Sequence, residues 1–208
     1  MQAPLINRRA ILGGMAAISL ALPTRLMAGQ LPSVQEVAFD PEIPALGNPE
    51  GDVTIVEYTD YQCPYCKLSY IEMMKVMAED PGIRVVMRDW PIFGQVSRNA
   101  ALLTLAANSQ GRYAEAFDIL MTNRERLSFK RTAQLLQEVG VDMELARREI
   151  ATRGDSFVGI LSRTEAQAKA FELPGTPGFL IGTALYKRGM TADDFRKAVA
   201  AARAAARA

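Results

Sequence analysis

Residues 53–66 read Val53-Thr54-Ile55-Val56-Glu57-Tyr58-Thr59-Asp60-Tyr61-Gln62-Cys63-Pro64-Tyr65-Cys66. The first six have strong β propensity and one charge, the pattern of a short buried strand. The cysteine pair then opens a helix: Ile71, Met74 and Ala78 recur at helical spacing as its apolar face, from near Pro64 to Glu79, and Asp80-Pro81-Gly82 ends it. Ile83–Asp89 reads as a second strand. Strand, cysteine pair at a helix start, helix and strand make a βαβ unit.

Upstream, residues 1–10 carry Arg8 and Arg9 and no acid, and Ile11–Pro23 are uncharged and largely apolar. A positive region before a short apolar run is the order of a bacterial export signal, and the run is short for a membrane span. The expectation is a signal peptide over residues 1–28, cleaved after Ala28. Arg8-Arg9-Ala10-Ile11-Leu12 gives it a twin-arginine-like character, with the Sec route as the alternative. Export places the mature chain in the periplasm, where a disulfide can persist. Residues 29–46, rich in proline, read as an extended arm.

Downstream, the apolar period becomes helical over about residues 96–172. Tyr113, Ala116, Phe117, Leu120 and Met121 form one stripe, and Phe157, Ile160, Leu161, Thr164, Ala168 and Phe171 another. Gly140 and Gly154 read as helix stops. After Gly175-Thr176-Pro177-Gly178 come two short strand-like runs, Phe179–Ile181 and Ala184–Tyr186. A last helix, capped by Thr191, presents Phe195, Ala198, Val199 and Ala202. The fold class expected is α/β: a mixed sheet over residues 47–208, with the helical block inserted between its halves.

The 208 residues contain no histidine, which excludes Ser-His-Asp triads, Cys-His pairs and histidine-ligated zinc. Lys plus Arg number 24 against 23 for Asp plus Glu, so no overall basic field is available to hold nucleic acid. The only two cysteines, Cys63 and Cys66, stand at C-x-x-C spacing. Thiol-disulfide exchange needs a thiolate, a second thiol to resolve the mixed disulfide, and access for a partner sulfur. A first cysteine at a helix N-terminus gains the first from the helix dipole and unpaired backbone N–H groups. Pro64 suits the first turn, where its missing N–H costs nothing. Cys63 is then the attacking sulfur and Cys66 the resolving one. Three other readings of the pair stand beside this one: a structural disulfide, soft-metal capture between two chains, and a coincidental surface pair. Glu57 has two readings, a solvent-facing strand-end acid or a buried acid that relays the Cys66 proton. Pro177 by itself reads as an ordinary turn proline, since few X-Pro bonds are cis.

At these residues the sequence resembles the DsbA family of thioredoxin-fold proteins. Residues 47–67, from Gly47-Asn48-Pro49 through Cys63-Pro64-Tyr65-Cys66-Lys67, carry one motif and Gly175–Gly182 the other, and the likeness covers roughly residues 45–205. The resemblance implies a redox-active Cys63–Cys66 disulfide and a cis Pro177 facing it. It also implies that Thr176 offers backbone hydrogen bonds to a bound polypeptide and that Glu57 is the buried acid. No cofactor or metal is implied. The implied activity is dithiol oxidation of exported cysteine-containing proteins by a monomer, reoxidised by a DsbB-like membrane partner. The alternative is a reductase or isomerase of the DsbG or ScsC kind, served by a DsbD-like partner. A non-catalytic envelope module that binds copper or protein is the alternative from another class. Tyr65 stands where the best-known oxidases of the family have histidine, which implies a less strongly oxidising pair.

Overall fold

A computed structural model describes residues 31–208, and the expected export signal lies outside the described residues. Strand β2, Val53–Thr59, is central because it can be buried on both faces, and it pairs in parallel with β3, Ile83–Asp89. Helix α2, Pro64–Glu79, makes the crossover between them. Outside these lie β1, Ala45–Gly47, antiparallel to β3, and β4, Gly178–Ile181, antiparallel to β2. The fifth strand, β5, Ala184–Tyr186, pairs with β4 to give the order β1-β3-β2-β4-β5. Gly182, at φ +60°, takes the first place of the two-residue turn between β4 and β5, where a side chain would be strained. The expected α/β mixed sheet is present.

Between β3 and β4 run α3, Gln95–Ala107; α4, Tyr113–Thr122; α5, Phe129–Glu138; and α6, Met143–Ala170. Both apolar stripes named above are buried. Helix α7, Ala192–Ala206, closes the chain with a capping box between Thr191 and Asp194, and its Phe195 meets Phe179 of β4 edge to face at 5.1 Å.

Three local expectations are corrected. Residues 29–46 are not wholly an extended arm: they contain α1, Val34–Ala38, opened by a capping box of Ser33 and Glu36, and the start of β1. Gly154 stops no helix. It lies inside α6, which Asp142 caps, whereas Gly140 does follow α5 with φ +83°. The apolar face read on α2 is its outer one: Ile71 and Met74 are exposed, and Cys66, Ser69, Tyr70, Met73 and Val76 turn inward. Helix α2 carries apolar residues on both sides, so periodicity alone did not select the buried side.

Strand alternation assigns the two faces of the sheet. Glu57 pairs laterally with Met87 and Phe179, whose face meets α7. Tyr58 points the other way, and its hydroxyl donates to Gln167 of α6 at 3.1 Å. Arg88, paired with Tyr58, is fully buried on that second face. It donates to the carbonyls of Glu36 and Val37 at 2.5 and 2.7 Å and to the Asp40 carboxylate at 3.1 Å, fastening α1 to the sheet.

Candidate active site

The loop between β2 and α2 is built around Asp60. Its carboxylate accepts from the Gln62 amide at 2.8 Å, the Phe93 amide at 3.0 Å and the Ser97 hydroxyl at 2.7 Å, and its carbonyl accepts from the Cys63 amide at 3.0 Å. Gln62 adds donor bonds to the Phe93 carbonyl and the Ser97 hydroxyl. The turn that delivers the cysteines is therefore tied to α3 as well as to β2. Sequence reading passed over Asp60. The signal was there, since Asp two residues before Gln62 is the arrangement of an Asx-turn.

Cys63 is the N-cap of α2 with extended backbone angles, φ −75° and ψ 117°, and Pro64 follows at the first helical position. Cys66 lies within the first turn and is fully buried, while Cys63 is 2% exposed. The Cys63 thiol donates to the Thr176 carbonyl at 3.3 Å. The Thr176–Pro177 peptide is cis, and this loop faces the helix start across a cleft lined by Tyr65, Pro177 and Gly189. Tyr65 is 66% exposed, on the outside of the first turn. Cys63, Cys66, Pro64, Tyr65, Thr176 and Pro177 thus come together at one end of the sheet.

The two sulfurs differ electrostatically. A hydrogen bond from the Cys66 thiol, followed by the Thr176 hydroxyl and the backbone amides of Cys66 and Tyr65, holds Cys63 down at about 6 against the opposing effect of burial. Burial pushes Cys66 far up, and its hydrogen bond to the Cys63 sulfur and the charge of Glu57 act in the same direction. Cys63 is the thiolate at neutral pH and Cys66 keeps its proton. The Thr176 hydroxyl is buried and has no hydrogen-bond partner, so its proton is free for the Cys63 thiolate.

Glu57 is fully buried on the sheet face that α7 covers, and its solvent-facing reading does not hold. Neither carboxylate oxygen has a hydrogen-bond partner. Burial first, and the Cys63 charge after it, raise the Glu57 carboxyl well above its ordinary range. A carboxyl in that state can hold or release a proton beside Cys66. A second buried acid, Asp89 at the end of β3, is raised to about 8 by burial, and sequence reading did not single it out. Among the described residues, no group of three or more cysteine, aspartate or glutamate side chains is placed to hold a metal ion.

A family model described as Thioredoxin matches residues 40–201. Among solved structures, a thioredoxin-like oxidoreductase from Silicibacter pomeroyi DSS-3 is 34% identical with a TM-score of 0.80, covering 83% of this chain and 99% of that one. The thiol-disulfide exchange protein alpha-DsbA2 from Wolbachia pipientis has the same fold, with 23% identity, a TM-score of 0.75, and coverage of 81% and 91%. Among curated proteins, the Na(+)/H(+) antiporter NhaA 3 of Salinispora tropica is 26% identical over 177 residues, which make up 82% of this chain and 26% of that protein. The chain therefore spans about a quarter of the length of the first curated relatives it matches. No helix among the described residues is long and apolar enough to cross a membrane.

Proposed function

The chain belongs to the thioredoxin family, and from that premise we propose that it is a periplasmic thiol:disulfide oxidoreductase that passes its Cys63–Cys66 disulfide to exported proteins. The observation that carries this reading is the split between a Cys63 held at about 6 and a Cys66 driven upward, across one helical turn. In the oxidase direction a substrate thiolate attacks the Cys63 sulfur and the Cys63–Cys66 bond breaks. Cys66 leaves with the electron pair and takes a proton, with Glu57 as the relay. The second substrate thiolate then attacks the mixed disulfide on the substrate sulfur, a substrate disulfide forms, and Cys63 leaves as a stable thiolate. The low pKa of Cys63 makes it a good leaving group, which favours the reduced enzyme and hence oxidation of the substrate.

The export reading of residues 1–28 supports the compartment, and the cleft that Thr176 and Pro177 line beside Tyr65 supports capture of an extended polypeptide by short strand addition. Reoxidation falls to a DsbB-like quinone-linked membrane partner, and the protein acts as a monomer. The reductase or isomerase reading, with a DsbD-like partner, is favoured by one observation: Tyr65 points outward and gives the Cys63 thiolate no imidazole. A Cys63 at about 6 lies between the values of about 3.5 and about 7 that accompany a strong oxidant and thioredoxin. Alkylation trapping of Cys63 and Cys66 in living cells separates the two. A mostly oxidised pair supports the oxidase, and a mostly reduced pair overturns it in favour of the reductase or isomerase.

A further inference from the structure

Beside the helix start, on the Gln62–Pro64 side of Cys63 and away from Thr176, lies a second cleft of about 450 Å³. Its walls include Gln62, Pro64, Lys67, Phe93, Arg124 and Arg126. The wall opposite the cysteine loop is the connection between α4 and α5, and it is firmly held. Lys67 of α2 donates to the carbonyls of Leu120 at 3.1 Å and Asn123 at 2.5 Å, the Asn123 amide donates to the Glu125 carbonyl at 2.7 Å, and Leu127 is buried as an anchor. The facing wall is fixed by the Gln62 bonds to Phe93 and Ser97.

What this loop presents is unneutralised positive charge. Arg124 and Arg126 are exposed and make no ion pair or side-chain hydrogen bond among the described residues. Lys67 spends its donors on neutral carbonyls, so its charge is uncompensated too. The one carboxylate of the lining, Glu125, is paired with Arg131 at 3.0 Å. The cleft on the Thr176 side carries less of it: Arg188 there is spent on Asp194, and Lys187, which donates to the Glu172 carbonyl, is the one cation of that lining without an ion pair among the described residues. With formal charges of 24 against 23 over the whole chain, the molecule has no general field to attract an acidic polypeptide, so attraction has to be local. The Phe93 ring, 52% exposed, and Pro64 add an apolar floor for the stem of a long side chain.

We infer that this cleft is a specificity subsite that takes an acidic side chain, Glu or Asp, of a polypeptide whose cysteine is being exchanged at Cys63. The inference rests on the oxidoreductase reading above and adds to it a preference among substrates. Exposed charges of this kind act mainly through encounter rate and are screened by salt.

The test uses the oxidised protein and three peptides with the same cysteine pair, flanked within two residues by glutamate, glutamine or lysine. The rate of disulfide transfer is read at low salt and at about 0.5 M salt. The glutamate peptide is expected to react about fivefold faster than the lysine peptide at low salt, with the ratio approaching one at high salt. Arg124→Glu with Arg126→Glu is expected to invert the ratio, and Arg124→Lys with Arg126→Lys to keep it. Turnover of all three peptides at equal rates, or a ratio indifferent to charge reversal, overturns the subsite while leaving the oxidoreductase reading intact. Failure to oxidise any of the peptides overturns both.

Discussion

The Cys63 sulfur lies 3.3 Å from the carbonyl oxygen of Thr176, a residue 113 positions later in the chain. The helical block between β3 and β4 separates the two in sequence, and the antiparallel pairing of β4 with β2 brings them together. As a thiol, Cys63 donates to that carbonyl. As a thiolate, it is served by the Thr176 hydroxyl, the Cys66 thiol and the first amides of α2.

The alkylation rate of Cys63 in the reduced protein is therefore expected to rise with pH around a midpoint of about 6, against about 8.5 for an ordinary cysteine. The folded-state value is the depressed one, so the stability it lends the reduced protein is fully present above about pH 8.5. That stability is lost as pH falls toward 6. Paired urea titrations of reduced and oxidised protein across that window check the sign: the advantage of the reduced form grows with pH.

Thr176→Val keeps the shape of the side chain and removes the hydroxyl. The Cys63 alkylation midpoint is expected to move upward from about 6, because one donor to the thiolate is lost. An unchanged midpoint would leave the hydroxyl without a part in thiolate stabilisation.

Glu57→Gln separates stability from chemistry. A buried carboxyl with a raised pKa takes up a proton on folding, so its contribution is lost as pH rises above its ordinary 4.5. The variant is expected to melt at a higher temperature than the parent at pH 7, with the gain shrinking below pH 4.5. Without the carboxyl to relay the Cys66 proton, the exchange step is expected to slow by roughly tenfold in stopped-flow fluorescence. A variant as fast as the parent would remove Glu57 from the mechanism.

Arg88 and Asp40 fasten α1 to the sheet, with the Arg88 side chain fully buried. Asp40→Ala strands that charge and is expected to cost about 3 kcal/mol in urea unfolding. Burial alone would raise the Asp40 carboxyl, but the Glu42 amide, Arg88 and Arg163 hold it below its ordinary 3.8. Its stability is present above 3.8 and is lost as pH falls through the lower folded value, so the acid limb of the variant is expected to be flatter than that of the parent.

The elements nearest the cysteines were legible because each carries its own local signal. Pro64 marks the first turn of α2, Asp80-Pro81-Gly82 marks its end, and Thr191 caps α7. Gly154 misled because a glycine ends a helix only where the chain needs a positive φ. Within α6 it costs about 1 kcal/mol relative to alanine, a penalty that the buried Phe157, Ile160 and Leu161 outweigh. The Ser33–Glu36 capping box of α1 was a readable signal that the neighbouring prolines obscured. The burial of Arg88 has no local signature at all, since its partners lie about fifty residues away in α1 and the turn that follows it. The same holds for Arg124 and Arg126, whose position beside Pro64 is a product of how α4 packs on α2.

On the proposed mechanism, Cys63 is the sulfur that exchanges with substrate and Cys66 the one that resolves. It is tested by mixed-disulfide trapping with a single-cysteine peptide, read by mass spectrometry, comparing Cys66→Ser with Cys63→Ser after each has been activated as a disulfide with a small thiol. The Cys66→Ser protein is expected to accumulate a stable peptide adduct on Cys63 and the Cys63→Ser protein to form almost none. Equal trapping on Cys66, or no adduct on Cys63, would contradict it.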